Sequence, residues 1–235
     1  MLNYEVEPQV LKPFVPDGTE LDDWQSKTYV SVVGFLFQDT RVFGIPIPLH
    51  TNFEEVNLRF YVRRQAEEGW RRGVVFIREL VPRALIAWAA RALYGEKYRS
   101  VPMAHRCPEA EPPDAAAFSV SYSWVDDGVP GEVRVAVEGV ASALVVGSEE
   151  EFVTEHYWGY TKRTDGSTLE YRVLHPRWNV WRVSRSHFEG NVARLYGKEF
   201  EKPLSGEPRS AFLAQGSRVS VYRGLPLGES RRRRR

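Results

Sequence analysis

The sequence is short of the residues and runs that would settle a compartment or a chemistry at once. Its 235 residues hold one cysteine, Cys107, which excludes an internal disulfide and offers no thiol cluster to a metal. No stretch approaches the ~18 consecutive apolar residues of a membrane-spanning helix. The opening Met1-Leu2-Asn3-Tyr4-Glu5 lacks the basic and apolar regions of a secretory leader. These absences predict a cytoplasmic protein with no membrane partner. Lysine is scarce beside arginine: Lys12, Lys27, Lys97, Lys162, Lys198 and Lys202 are all there is, so amine chemistry has few candidates. HExxH, CxxC, GxSxG and GxGxxG are all missing. The stretch Gly190 to Lys198 has two residues too many between its glycines for a phosphate loop, and ends in Glu199 where Ser or Thr belongs. Zinc, nucleotide and serine-hydrolase chemistry lose their sequence support, and no metal or cofactor is expected.

The net charge of +1 hides an uneven distribution, because five positive charges sit in the terminal run Arg231–Arg235 and the remainder is net negative. Such a body disfavours nucleic acid, to which only the tail offers a contact, and a terminal charge run usually stays solvated. Residues 227–235 read as a disordered arginine-rich tail. The length suits one generous domain over residues 1–226.

Aromatic residues and alternating strands are what the sequence has in quantity. Tyr29 to Phe37 is nearly all apolar and reads as a strand covered on both faces. Gly44 to His50, with two prolines, reads as an extended connection. From Glu55 to Arg63 the pattern alternates strictly: Val56, Leu58, Phe60 and Val62 on one side, Glu55, Asn57, Arg59, Tyr61 and Arg63 on the other. Further strands are expected at 73–79, 118–124, within 132–146, and at 218–223. Thr-Asp-Gly-Ser between 157–162 and 169–175 marks a hairpin. Residues 7–12 allow one helical turn. A longer helix is expected over 82–94, with Leu85, Trp88, Ala89, Ala92 and Leu93 on one face. Ser148 with Glu151, and Ser186 with Glu189, form capping boxes for two short helices. The fold class is therefore mainly β (α+β): a curved antiparallel sheet closing into a cone or barrel, with a few flanking helices.

Chemistry concentrates on the strand 55–63. Its polar side either faces solvent over a core-facing apolar side, or lines the lumen of a barrel. Asn57 and Tyr61 are odd choices for a merely charged face. Arg41, His50, Asn52 and Glu54 belong to the same end of the sheet. On the lumen reading, Arg41, His50, Glu55, Asn57, Arg59, Tyr61 and Arg63 bind a small carboxylate, with the guanidiniums holding charge and Glu55 the candidate acid or base. Glu151, Glu155 and His156 share a metal-like spacing, although acidic residues in a first turn serve the helix dipole equally well. The aromatic runs His156 to Tyr160 and His175 to Trp178 suit core packing or pocket lining.

The stretch Tyr29 to His50, with Asn52 to Arg63, Arg72 to Arg83 and, less closely, Glu170 to Trp178, resembles the YqjF-like family of unknown function (DUF2071) over essentially the whole chain. That family is grouped with the acetoacetate decarboxylases. The resemblance implies their β-cone with flanking helices and supports the lumen reading. Those enzymes form a Schiff base on a lysine of a Tyr-Pro-Lys-Lys setting after the helix matching 82–94. Here Glu96-Lys97-Tyr98-Arg99 stands there, so the lysine positions fall on Tyr98 and Arg99, and a shift of one residue would restore Lys97. The family's pocket glutamate, in an aromatic-x-Glu setting, carries to Glu55. The resemblance thus implies an oxo-acid pocket. The alternatives are a structural or interaction protein on the same scaffold, and a lyase using Lys97. A homo-oligomer is compatible with all three.

Overall fold

The computed structural model describes residues 1–39, 52–82, 97–108 and 117–227, and the backbone alone of 41–42 and 45–46. The alternating segment forms β6 (Phe53–Ala66), which turns at Glu67-Glu68 into β7 (Gly69–Val81). The other edge of β6 pairs with β3 (Thr28–Phe37), and β3 pairs with β1 (Leu2–Val6). The sheet continues through β15 (Ser210–Ala214), β14 (Val180–Glu189), β11 (Val129–Val137), β10 (Phe118–Asp126) and β9 (Met103–Arg106). Beyond β7 lie β12 (Trp158–Lys162) and β13 (Thr168–Leu174). Short strands β2 (Glu20–Leu21), β8 (Tyr98–Ser100), β16 (Ser220–Val221) and β17 (Leu225–Pro226) add to β6, β7, β13 and β13 respectively. A separate ribbon joins β4 (Arg41–Val42) to β5 (Ile45–Pro46).

The mainly β class and the small helical content agree with the sequence. Two details differ. β12 and β8 both run parallel to β7, so the sheet is mixed. It also curls without closing: among the described residues no ladder joins β9 to the rest of the sheet except through β10. The curl is completed by side chains, since His105 of β9 comes back to Glu54 of β6 at 2.7 Å. What drives the curl is the apolar face. Val56, Leu58, Phe60 and Val62 of β6 share one core with Val120, Tyr122 and Trp124 of β10 and with Val133 and Val135 of β11. Leu195, Tyr196, Phe200 and Leu204, from short helices after β14, plug the same core. The two walls meet closely at Gly34, where a Cβ would stand 2.6 Å from the Tyr122 ring. Gly34→Ala is expected to cost ~1–3 kcal/mol through overpacking, read as a lower denaturant midpoint.

The polar side of β6 therefore faces away from the curled interior, which reverses the lumen assignment. The reason is volume: aromatic and branched side chains from opposite walls fill the inside. Outside, the helix Glu149–Thr154 covers the middle of the sheet, laying Phe152 and Val153 on Tyr29, Tyr61 and Val74. Its cap is the one expected, with Ser148 Oγ accepting from the Glu151 amide at 3.1 Å. The second capping box is not used. Ser186 and Phe188 pair with Val135 and Val133 within β14, because a full ladder outweighs one cap. The expected strands around 132–146 and 218–223 shrink to β11 and β16. The expected helix 82–94, with Leu85 and Trp88, lies outside the described residues apart from Pro82, as does the run Arg231–Arg235. Among the described residues no helix is long and apolar enough to cross a membrane.

Candidate functional site

At the end of β6 remote from its turn, register gathers four polar side chains on the outer face. Asn57 stands opposite Glu79 of β7, and Glu79 opposite Tyr98 of β8. Residues opposite one another project from the same face, and Glu55 is two residues from Asn57 along the strand. The β6–β7 register shifts between Leu58 and Arg59, where Ile77 of β7 is the extra residue, a device common next to functional sites. Glu55, Asn57 and Glu79 are 1%, 1% and 2% exposed. Asn57 Nδ2 donates to Glu55 Oε1 at 2.9 Å, and the Tyr98 hydroxyl donates to Oε2 at 3.3 Å. The wall is apolar: Phe53 and Val81 are buried against Phe37 and Tyr98, with Phe37 4.6 Å from Phe53. Burial pushes the Glu55 carboxyl up to about 7, against the two hydrogen bonds and the nearby charge of Arg59. Asn57 Oδ1 is buried with no hydrogen-bond partner among the described residues.

Arg59 lies next along this face. One of its terminal nitrogens donates to the Val153 carbonyl at 3.2 Å, while its Nε is buried without a hydrogen bond among the described residues. No described carboxylate forms an ion pair with it. Tyr61 and Arg63, farther along, are occupied by the fold. The Tyr61 hydroxyl donates to Ser31 at 2.5 Å, and Ser31 donates to Asn3 Oδ1 at 2.6 Å. Arg63 binds Glu20 at 2.8 Å and covers the Trp70 ring. The Tyr61 ring packs on His156, whose buried nitrogens have no hydrogen bond among the described residues and whose Nε2 stands 3.7 Å from Asp22. Burial lowers the His156 pKa to about 4, and Arg72 and Arg59 add to that, so the ring is neutral.

The strand thus brings Glu55, Asn57 and Arg59 to one enclosed face and sends Tyr61 and Arg63 elsewhere. The side chains of Arg41 and His50 lie outside the described residues. Lys97 is exposed, with Nζ 5.4 Å from the Phe14 ring, and it is the neighbouring Tyr98 that reaches Glu55. Glu151 accepts from Gly147 at 2.7 Å and from Arg177 at 2.6 Å, and among the described residues no cluster of metal-ligating side chains occurs. Sequence reasoning missed Glu79 and Tyr98. Glu79 left a signal, a carboxylate inside the apolar strand Val74 to Val81, where an ionisable group is costly without a use.

The family model of DUF2071, described as an uncharacterized conserved protein, matches residues 1–218. The chain belongs to that family. No curated protein matches it. Several solved structures match this DUF2071 chain along nearly its full length. The enduracididine biosynthesis enzyme MppR complexed with pyruvate is 12% identical with a TM-score of 0.64, over 97% of this chain and 87% of its own. An acetoacetate decarboxylase from Legionella pneumophila subsp. pneumophila str. Philadelphia 1 is 13% identical with a TM-score of 0.61, over 97% and 83%. An acetoacetate decarboxylase-like enzyme from Sphingomonas wittichii RW1 is 14% identical with a TM-score of 0.58, over 96% and 88%. At these identities the likeness is one of fold. This DUF2071 chain has the acetoacetate decarboxylase-like fold, as its sequence implied.

Proposed function

We propose that this chain binds a small oxo-acid or related carboxylate on the Glu55 face and can move a proton to it. The observation that carries the reading is Glu55 itself. It is a fully buried carboxyl, pushed up to about 7 and anchored on both oxygens. Such a group is poised to give or take a proton near neutral pH, where acid–base catalysis is most effective. Arg59, which forms no ion pair among the described residues, supplies the countercharge for the ligand. Asn57 orients Glu55 through Nδ2 and leaves its Oδ1 for a ligand hydroxyl or enol. The pyruvate held by MppR, a protein of the same fold, supports this ligand class. On the alternative reading of a purely structural scaffold, Glu55 would be a buried acid with no task.

A thermal-shift series with pyruvate and acetoacetate tests the proposal. Ligand at ~100 times Kd should add about 2.7 kcal/mol of stability, and Arg59→Gln should remove the effect. No shift with any small carboxylate at millimolar concentration would sink it. The lyase reading with Lys97 as Schiff-base nucleophile needs a desolvated amine, and Lys97 is exposed. Borohydride with either ligand is therefore expected to leave Lys97 unlabelled, as read by peptide mass. A reduced adduct on Lys97 would replace acid–base chemistry by imine chemistry.

A further inference from the structure

Nine residues along β7 from Glu79, roughly 30 Å at ~3.3 Å per residue, the sheet carries a groove of about 650 Å³. That is the size of a small-molecule cleft. Trp70, Arg71, Tyr157, Trp158, Arg172 and Leu174 are among the residues that line it. Its walls are flat and held in place. The Arg71 guanidinium lies 4.0 Å over the Trp158 ring, with Nη1 2.6 Å from Glu170 and Nε 2.6 Å from Glu68. Its charge is thus neutralised and its plane fixed as a shelf. Tyr157 is pinned twice, by a hydrogen bond to Glu155 at 2.5 Å and by His175, whose ring stacks on it at 4.9 Å and on Trp178 at 4.1 Å. Trp70 remains 51% exposed at the rim.

Among the described residues, one cation in the groove is left over. Arg172 stands opposite Trp158 in the β12–β13 register, so both project to the same face. It is exposed and forms no ion pair among the described residues. Aromatic walls that gain nothing from solvent, beside a guanidinium that no described carboxylate neutralises, define the chemistry of an occupant.

We propose that this groove is a second binding site, for a planar organic anion: an aromatic ring that packs on the Arg71–Trp158 shelf and carries a carboxylate to Arg172. A flat ring takes the stacking surface without losing conformational freedom, and the planar guanidinium pairs with a carboxylate through two parallel hydrogen bonds. Neither requirement involves Glu55 or Arg59, so this site stands or falls independently of the proposed oxo-acid face.

The probe is para-nitrobenzoate, with para-nitrobenzamide as the neutral analogue and cyclohexanecarboxylate as the non-planar acid. Binding is measured by calorimetry, and located by the indole N–H resonances of Trp70 and Trp158. Saturable shifts at both indoles are expected, with both analogues at least ~10-fold weaker, a margin of about 1.4 kcal/mol. Arg172→Gln, an exposed change that leaves the sheet intact, should weaken the benzoate ~10-fold and leave the benzamide unchanged. Equal binding of acid and amide, unaltered affinity in Arg172→Gln, or the absence of saturable shifts at Trp158 would each overturn the assignment.

Discussion

Glu55→Gln should make the protein more stable, by up to about 3 kcal/mol at pH 8. The folded state raises this carboxyl from 4.5 to about 7, chiefly by burial, and each unit is worth ~1.4 kcal/mol. An acid with a raised folded pKa holds its proton more tightly in the native state. Its contribution is therefore favourable at low pH and is lost as pH rises from 4.5 to 7. Glutamine keeps an acceptor for Asn57 and never ionises. The difference between variant and parent should be small near pH 4.5, grow through pH 7 and then level off, as read by urea unfolding at several pH values. His156 acts in the opposite sense. Its neutral buried ring favours the native state above 6.5 and ceases to do so as pH falls towards 4. The two dependences offset each other between 4.5 and 6.5, so the parent should appear flat where the variant slopes. Identical pH profiles for the two proteins would mean that Glu55 is ionised normally, and would remove the basis of the proposed proton transfer. Natural sites commonly give up stability in this way for function.

Glu170→Ala should destabilise the protein by ~3–5 kcal/mol, the cost of breaking a buried ion pair from one side. Glu170 accepts from Arg64 at 2.8 Å, Arg71 at 2.6 Å and the Tyr160 hydroxyl at 3.0 Å. Its side chain is 7% exposed and those of the two arginines about a fifth. Removing the carboxylate takes from Arg64 its ion pair, leaves Arg71 with Glu68 alone and leaves the Tyr160 hydroxyl without its acceptor. Glu170→Gln, which keeps the shape and one acceptor oxygen but neither the charge nor the second acceptor, should fall between. A loss below ~1 kcal/mol for alanine would place the cluster among ordinary surface pairs.

The strands were legible because each alternates against a core. β3, β6, β7, β10 and the β12–β13 hairpin all carry a side-chain pattern of period two or a continuous apolar run. What periodicity could not say was which side of β6 faces inwards, since a curled sheet encloses one face and a helix can bury the other. The segment Ser186 to Glu189 misled for a related reason. Local capping chemistry is worth about 1 kcal/mol, and pairing with β11 along the strand outweighs it. Asp127-Gly128, with both residues at positive φ between β10 and β11, was a hairpin signal open to reading. Within the site, alternation put Glu55, Asn57 and Arg59 on one face. Glu79 and Tyr98 join them only through register, which depends on a bulge no pattern announces.

The placement of β1 has a consequence for how the chain reaches this state. Asn3 pairs with Ser31 on one side and with Ser210 on the other, so the strand that joins the two halves of the sheet binds partners 28 and 207 residues away. During synthesis β1, β3, β6 and β7 can assemble early, but the second edge of β1 must wait until β15 has been made. At ~5–20 residues per second that is an interval of roughly ten seconds or more. Throughout it, a central strand presents unpaired amides and carbonyls like any exposed edge. Contacts this distant in sequence predict slow folding, and the waiting edge of β1 is where misassembly between nascent copies would start.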